Sequence, residues 1–223
     1  MVKDNLKKIR ERIFSVCAKI KRNPETITIV AVSKGRTLEQ IKEAIAAGLY
    51  NIGENRVQEA LTKSNEQRAK WHMVGHLQTN KVKEAVKIFD LIHSVDSLRL
   101  AEEIDKQAKA LDKIQDILIE VKTSPEATKF GFNPDEVSGA VKQISALMNV
   151  RVLGLMTIAP AVDNPEEARP YFRQLRELRD SINSLQLETC SLKLLSMGMT
   201  DDFEVAIEEG SDMVRLGKAI FEG

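Results

Sequence analysis

The chain has 223 residues, and its 33 lysines and arginines balance its 33 aspartates and glutamates, so the formal net charge is zero. That length suits one large domain with its own core. The charge balance supplies no general pull toward nucleic acid or anionic lipid.

The two cysteines, Cys17 and Cys190, lie far apart without CxxC spacing. They read as core or surface thiols in a reducing compartment, not as a disulfide framework. The opening segment MVKDNLKKIRERIF is too charged for a secretory signal. No apolar run approaches the ~18 residues that a membrane span needs. A soluble cytoplasmic protein is expected.

In chain order, residues 3–21 come first. Leu6, Ile9, Ile13, Val16 and Ile20 recur at spacings of three and four, which predicts an amphipathic helix that Asn23-Pro24 stops. After this leading segment, 1–22, an alternation begins. Strands are expected at 27–34, 50–55, 71–76, 91–95, 116–122, 150–158, 192–198 and 212–217. Helices are expected between them, at 38–48, to about 69, through 88, at 97–111, from Asn133-Pro134, at 165–182 and at 201–209. Strict alternation implies a parallel sheet with right-handed crossovers. Eight strand–helix units in roughly 200 residues fit an α/β fold, a closed (β/α)8 TIM barrel, with 1–223 as one domain. An open doubly wound sheet is the rival, but no GxGxxG turn follows the first strand.

Barrel chemistry sits at the C-terminal ends of the strands. Those ends read Ser33-Lys34, Glu54-Asn55, His76, Ser94 before Asp96, Lys122, Met156-Thr157, Ser196, and Arg215 before Gly217. Eight polar ends on apolar strands predict a polar mouth. Segment 196–221, SMGMTDD…SDMVRLGKAIF, is the most informative. Gly198 lets backbone approach a ligand, Thr200 suits a helix N-cap, and Gly217-Lys218 suits a short helical turn with free amides. Loops seven and eight with such a turn form the usual barrel phosphate site. Two ordinary βα loops would carry the same glycines.

Lys34 reads either as a solvated strand-end lysine or as a Schiff-base amine. Partial desolvation near Arg215 would disfavour its cationic form and free the amine to attack an aldehyde. A lysine facing a phosphate site points to pyridoxal 5′-phosphate (PLP). A sugar-phosphate Schiff-base enzyme uses the same parts. His72 and His76 stand four apart, but on a strand that is about 13 Å, too far to share an ion, so no metal is expected. His76 falls at the mouth and His72 reads as structural. Asn55 suits a helix N-cap, and Asp96 suits a cap with Ser97. Met156, Met197 and Met199 read as core fillers, and Lys122, Lys129 and Lys218 as solvated lysines.

Together these motifs resemble the pyridoxal phosphate homeostasis proteins, the YggS/PROSC-like family, related to the barrel domain of alanine racemase. The matching segments are AVSK (31–34), IGENRVQEA (52–60), WHMVGHLQTNK (71–81), SVDS (94–97), KFGF (129–132), GLMTIAP (154–160), LSMGMTDDFEVAI (195–207) and VRLGKAIF (214–221). The resemblance implies a fold-type III PLP-binding barrel in which Lys34 forms the Schiff base. It implies that Ser196 and the backbone at Gly217 and Lys218 hold the phosphate. It also implies that Arg215 faces the pyridine nitrogen, and that Asn55, Met156 and Met197 line the cofactor. The chain departs from the family at Gly35-Arg36-Thr37, where many members carry a Thr-Lys-Pro-like run.

Racemisation needs an acid/base group on each face of the substrate. The two tyrosines, Tyr50 and Tyr171, fall at the wrong barrel end and in an outer helix. In the racemase relatives the second base comes from an added domain and the partner subunit, and none is expected after strand eight here. An arginine facing the pyridine nitrogen disfavours ring protonation and weakens the electron sink. The expectation is a PLP carrier in intracellular PLP homeostasis without efficient catalysis, with PLP-dependent apo-enzymes as partners. A weak amino-acid racemase of the alanine racemase type is the alternative. No apolar stripe on the outer helices demands a dimer, so a monomer is expected.

Overall fold

The computed structural model describes residues 1–64, 68–124, 126, 129–185 and 191–222. Cys190 and Pro125 lie outside the described residues. Strands β1 (Thr28–Val32), β2 (Asn51–Glu54), β3 (Lys70–Met73), β4 (Leu91–Val95), β5 (Gln115–Glu120), β6 (Val150–Met156), β7 (Leu194–Ser196) and β8 (Met213–Leu216) form a closed barrel in sequence order. All pairings are parallel, and β1 closes on β8 from Thr28↔Met213 to Ala31↔Leu216.

Strand alternation sorts the side chains into two layers. Val30, Val74, Leu91, Leu118, Met156 and Met213 fill the barrel. Their neighbours Ala31, Met73, Ile92, Ile117, Leu155 and Val214 face outward, into the layer under the helices. Those helices are α2 (Leu38–Ala46), α3 (Val57–Lys63), α4 (Val82–Ile88), α5 (Leu98–Lys109), α6 (Pro134–Ile144), α7 (Arg169–Ser184), α8 (Phe203–Glu208) and α9 (Lys218–Phe221).

The leading helix α1 (Val2–Lys19) lies against α8 and α9. Its periodic face, Leu6, Ile9, Ile13 and Val16, is buried, which stabilises by roughly 1.5–3 kcal/mol per side chain. Asn5 fastens the same face by donating from Nδ2 to the Ile220 carbonyl at 3.1 Å. Among the described residues, no helix is long and apolar enough to cross a membrane.

Several expected boundaries move inward, each for a local reason. Strand one stops at Val32 because Ser33 opens a turn, closed by Arg36 N–H donating to the Ser33 carbonyl at 2.9 Å. Thr200 does not cap α8. Asp202 precedes that helix, and its carboxylate turns back to accept from the Met199 N–H at 2.5 Å. Nor does Asn55 cap α3, whose N-cap position is Arg56, with no side-chain cap bond. Ser97 does cap α5, accepting from the Leu100 N–H at 3.3 Å, and its hydroxyl donates to Asp96 at 3.1 Å.

Candidate functional site

The turn after β1 sets Lys34. Lys34 lies within that turn, just past the end of β1 at the C-terminal end of the barrel. Gly35 follows with φ +68° and open space around the position of a Cβ, so the turn conformation itself selects glycine there. The Gly35 N–H donates to Glu59 Oε2 at 3.1 Å. Arg36 points away from the mouth, ion-paired with Glu222 and lying over the Phe221 ring. The departure at 35–36 is thus a turn and an outer-surface anchor. Lys34 is exposed, not half-desolvated as its sequence neighbours suggest. It lines a cavity of about 560 Å³ with Asn55 and His76.

An adjoining cavity of about 290 Å³ shares Asn55 and is lined by Arg215, Thr200, Gly217 and Lys218. Four of the expected site residues therefore meet there. Lys34 lines the neighbouring cavity, which shares Asn55 with this one. α9 begins at Lys218, as the short-turn reading expects, and the Ala219 N–H donates to Thr200 Oγ1 at 3.4 Å, which ties the two loops together. Gly198 has φ +93°, and a Cβ there would meet the Ala206 methyl at 2.6 Å. Its need for glycine comes from the packing of α8, not from close approach to a ligand.

Arg215 is 4% exposed and forms part of the floor of this cavity. Its Nη2 donates to the Thr157 carbonyl and its Nη1 to Ser196 Oγ, both at 2.8 Å. Burial lowers its pKa to about 10, with Glu120 and Asp202 opposing the shift, so it remains a cation at neutral pH. Ser196 Oγ lies 2.9 Å from His93 Nδ1, His93 Nε2 lies 2.9 Å from His72 Nδ1, and His72 Nε2 lies 3.0 Å from Asn51 Oδ1.

One proton arrangement satisfies every link of that chain. Burial lowers His72 to about 4 and pushes His93 well below the usual range, so both rings are neutral and each carries one N–H. Arg215 donates to Ser196, Ser196 to His93, His93 to His72, and His72 to Asn51. The donors run one way through the barrel, from the mouth to its N-terminal end.

This chain revises two expected roles. The Ser196 hydroxyl points into the barrel and its single proton is committed to His93, so it has none to donate to a phosphate. Thr200 is the hydroxyl that the cavity offers instead. Met197, one residue beyond Ser196, turns outward and is fully buried among the helix-facing residues. Met156 is inside the barrel, buried in its apolar filling. His76 stacks on Phe130 at 3.6 Å between ring centroids, and its Nδ1 is 3.1 Å from Asp96. Lys129 is engaged by Glu126 and the Ile158 carbonyl.

Sequence reading missed Glu120. It follows Leu118 on the barrel-facing side of β5, is 6% exposed, and its Oε2 has no partner among the described residues. Burial raises its pKa to about 7, with Asp96 adding and Arg215 opposing. Among the described residues, no group of three or more His, Cys, Asp or Glu is placed to hold a metal ion.

The alanine racemase N-terminal domain model matches residues 2–223. The chain is 46% identical over 222 residues to the pyridoxal phosphate homeostasis protein of Aquifex aeolicus, covering 98% of this chain and 96% of that one. It superposes with a TM-score of 0.88 on PipY of Synechococcus elongatus solved with PLP bound, at 35% identity and covering 99% and 100% of the two chains. Alanine racemase of Clostridium difficile shares the fold at a TM-score of 0.77 and 18% identity, over 97% of this chain and 59% of the racemase. The chain belongs to the pyridoxal phosphate homeostasis protein family, within the group that carries the alanine racemase N-terminal domain.

Proposed function

We propose that this chain binds PLP at its barrel mouth, holds the cofactor's aldehyde on Lys34, and serves PLP homeostasis by keeping and releasing the cofactor. The observation that carries this is the cavity floored by buried Arg215, with Thr200, Gly217 and Lys218 around it and Lys34 in the neighbouring cavity that shares Asn55. The full-length likeness to the Aquifex protein and to PLP-bound PipY supports the same ligand. If bound there, PLP would supply an aldehyde, the electrophile suited to a primary amine such as that of Lys34.

The chain's own residues do the rest. Thr200 and the backbone at Gly217 and Lys218 are suited to a phosphate, and Lys218 adds a positive charge beside them. Arg215 is suited to the pyridine nitrogen. Its cation, fixed by Ser196 and Thr157, disfavours a proton on that nitrogen and so weakens carbanion stabilisation. Exposure of Lys34 leaves the captured aldehyde open to water and to competing amines, which favours release over turnover.

Neither tyrosine supports a second base. Tyr50 lines a cavity with Thr28 and Asn51 at the N-terminal end of the barrel, and Tyr171 lies in α7. On this reading the chain acts as a cytoplasmic monomer, and PLP-dependent apo-enzymes are its recipients. The test is turnover. PLP-loaded protein incubated with L-alanine and with L-serine should give no D-isomer above a protein-free PLP control, by chiral chromatography. Racemisation on the ordinary enzyme scale, on the order of 1–10³ s⁻¹, contradicts the reading.

A further inference from the structure

The cavity that holds Lys34 is lined by two further cations, Arg56 and Lys81, and by no carboxylate. Arg56 begins α3 as its N-cap, and Lys81 stands just before α4. None of the three head groups has a hydrogen bond or ion pair with another described residue. The nearby carboxylates have closer partners, although Glu59 also feels the charge of Arg56. Glu59 accepts from the Gly35 N–H and pairs with Lys63 at 3.4 Å, Glu54 pairs with Lys63 at 2.8 Å, and Asp96 pairs with His76. Three like charges around one concave space repel one another, and the field they focus there favours an anion.

We propose that this cavity is a second anion site, beside the cofactor cavity and distinct from it, which takes the oxyanion group of a small molecule. Phosphate and carboxylate share the required chemistry. Arg56 presents a planar fork suited to two oxygens and Lys81 supplies a point charge, and these two cations remain for a second anion when Lys34 holds the cofactor. At about 560 Å³ the space has the size of a small-molecule pocket. The Gln78 side chain, also in the lining, adds an amide donor. The site adjoins the cofactor cavity through Asn55, which lines both, so the anionic group of a second molecule would sit there while its other end meets Lys34. This placement rests on the reading that PLP occupies the neighbouring cavity.

Inorganic phosphate and acetate are the probes, titrated calorimetrically at constant low ionic strength into PLP-loaded and PLP-free protein. Loaded wild-type protein should bind one phosphate, and the Arg56→Gln/Lys81→Gln double variant should bind it at least tenfold more weakly, with its PLP absorbance band unchanged. Acetate displacing the phosphate identifies a carboxylate-accepting site, and phosphate binding without acetate competition identifies a phosphate site. Equal phosphate affinity in wild type and double variant overturns the proposal. Phosphate binding that disappears once PLP is loaded also overturns it, because the anion is then visiting only the cofactor's own cavity. If the protein takes up no PLP, the cofactor reading fails separately, and the dependence of phosphate binding on Arg56 and Lys81 still decides the second site.

Discussion

His93→Phe is expected to destabilise the folded chain by on the order of 3 kcal/mol. The ring keeps its volume, but two buried groups lose their partners. Ser196 keeps the bond it accepts from Arg215 but loses the acceptor for its own proton, and His72 Nδ1 loses its donor. Neither gains access to water, since Ser196 is fully buried and His72 nearly so. A buried polar group left unmade costs about 1–3 kcal/mol. Adding His72→Leu removes one of the two orphaned groups, so the pair should cost less than the sum of the singles by about 1 kcal/mol or more. Urea unfolding of the two single variants and the double variant measures this. Additive costs, each under about 1 kcal/mol, would show that the chain of hydrogen bonds does not hold the barrel interior.

Glu120→Gln is expected to change stability in a pH-dependent way. The buried carboxyl of Glu120 has a pKa of about 7 against an ordinary 4.5. A carboxyl raised on folding binds more protons in the folded than in the unfolded state. The folded state therefore loses stability as pH rises from about 4.5 to about 7, and the loss is complete above that. Glutamine removes the titration. The advantage of the variant over wild type should be larger at pH 8 than at pH 4.5 by up to about 3 kcal/mol. His72 and His93, with lowered pKa values, act in the opposite direction, losing stability as pH falls below about 6.5. They are present in both proteins and cancel in the difference. Thermal or urea unfolding of the cofactor-free pair at the two pH values is sufficient. A difference that does not change with pH would place Glu120 in a solvated setting.

The barrel is legible in the sequence because apolar strands alternate with helices of clear 3.6-residue spacing, and each element finds its partner nearby in the chain. Lys34 is legible as a charge ending an apolar run. The outward direction of Met197 is legible too. It follows Ser196, and Leu194 and Met213 belong to the barrel filling, so strand parity alone turns residue 197 outward. The same parity places His93 after Leu91, and Glu120 after Leu118, on the inner face.

What the sequence could not supply was which inward groups meet. Ser196 and His93 are 103 residues apart, and Thr157 is 58 from Arg215. Such contacts depend on barrel closure, which no local pattern encodes. Thr200 shows the same limit. A threonine ahead of a helix looks like a cap, and its different role depends on a backbone amide nineteen residues away.

The central claim is that Lys34 is the residue that holds the aldehyde. Borohydride reduction of PLP-loaded protein, followed by digestion and mass analysis of the peptides, tests it directly. One pyridoxyl group should be found, on the peptide containing Lys34, and none on the same preparation of Lys34→Ala. Label fixed instead on Lys122, Lys129 or Lys218, or wild-type labelling of Lys34→Ala, would contradict the account.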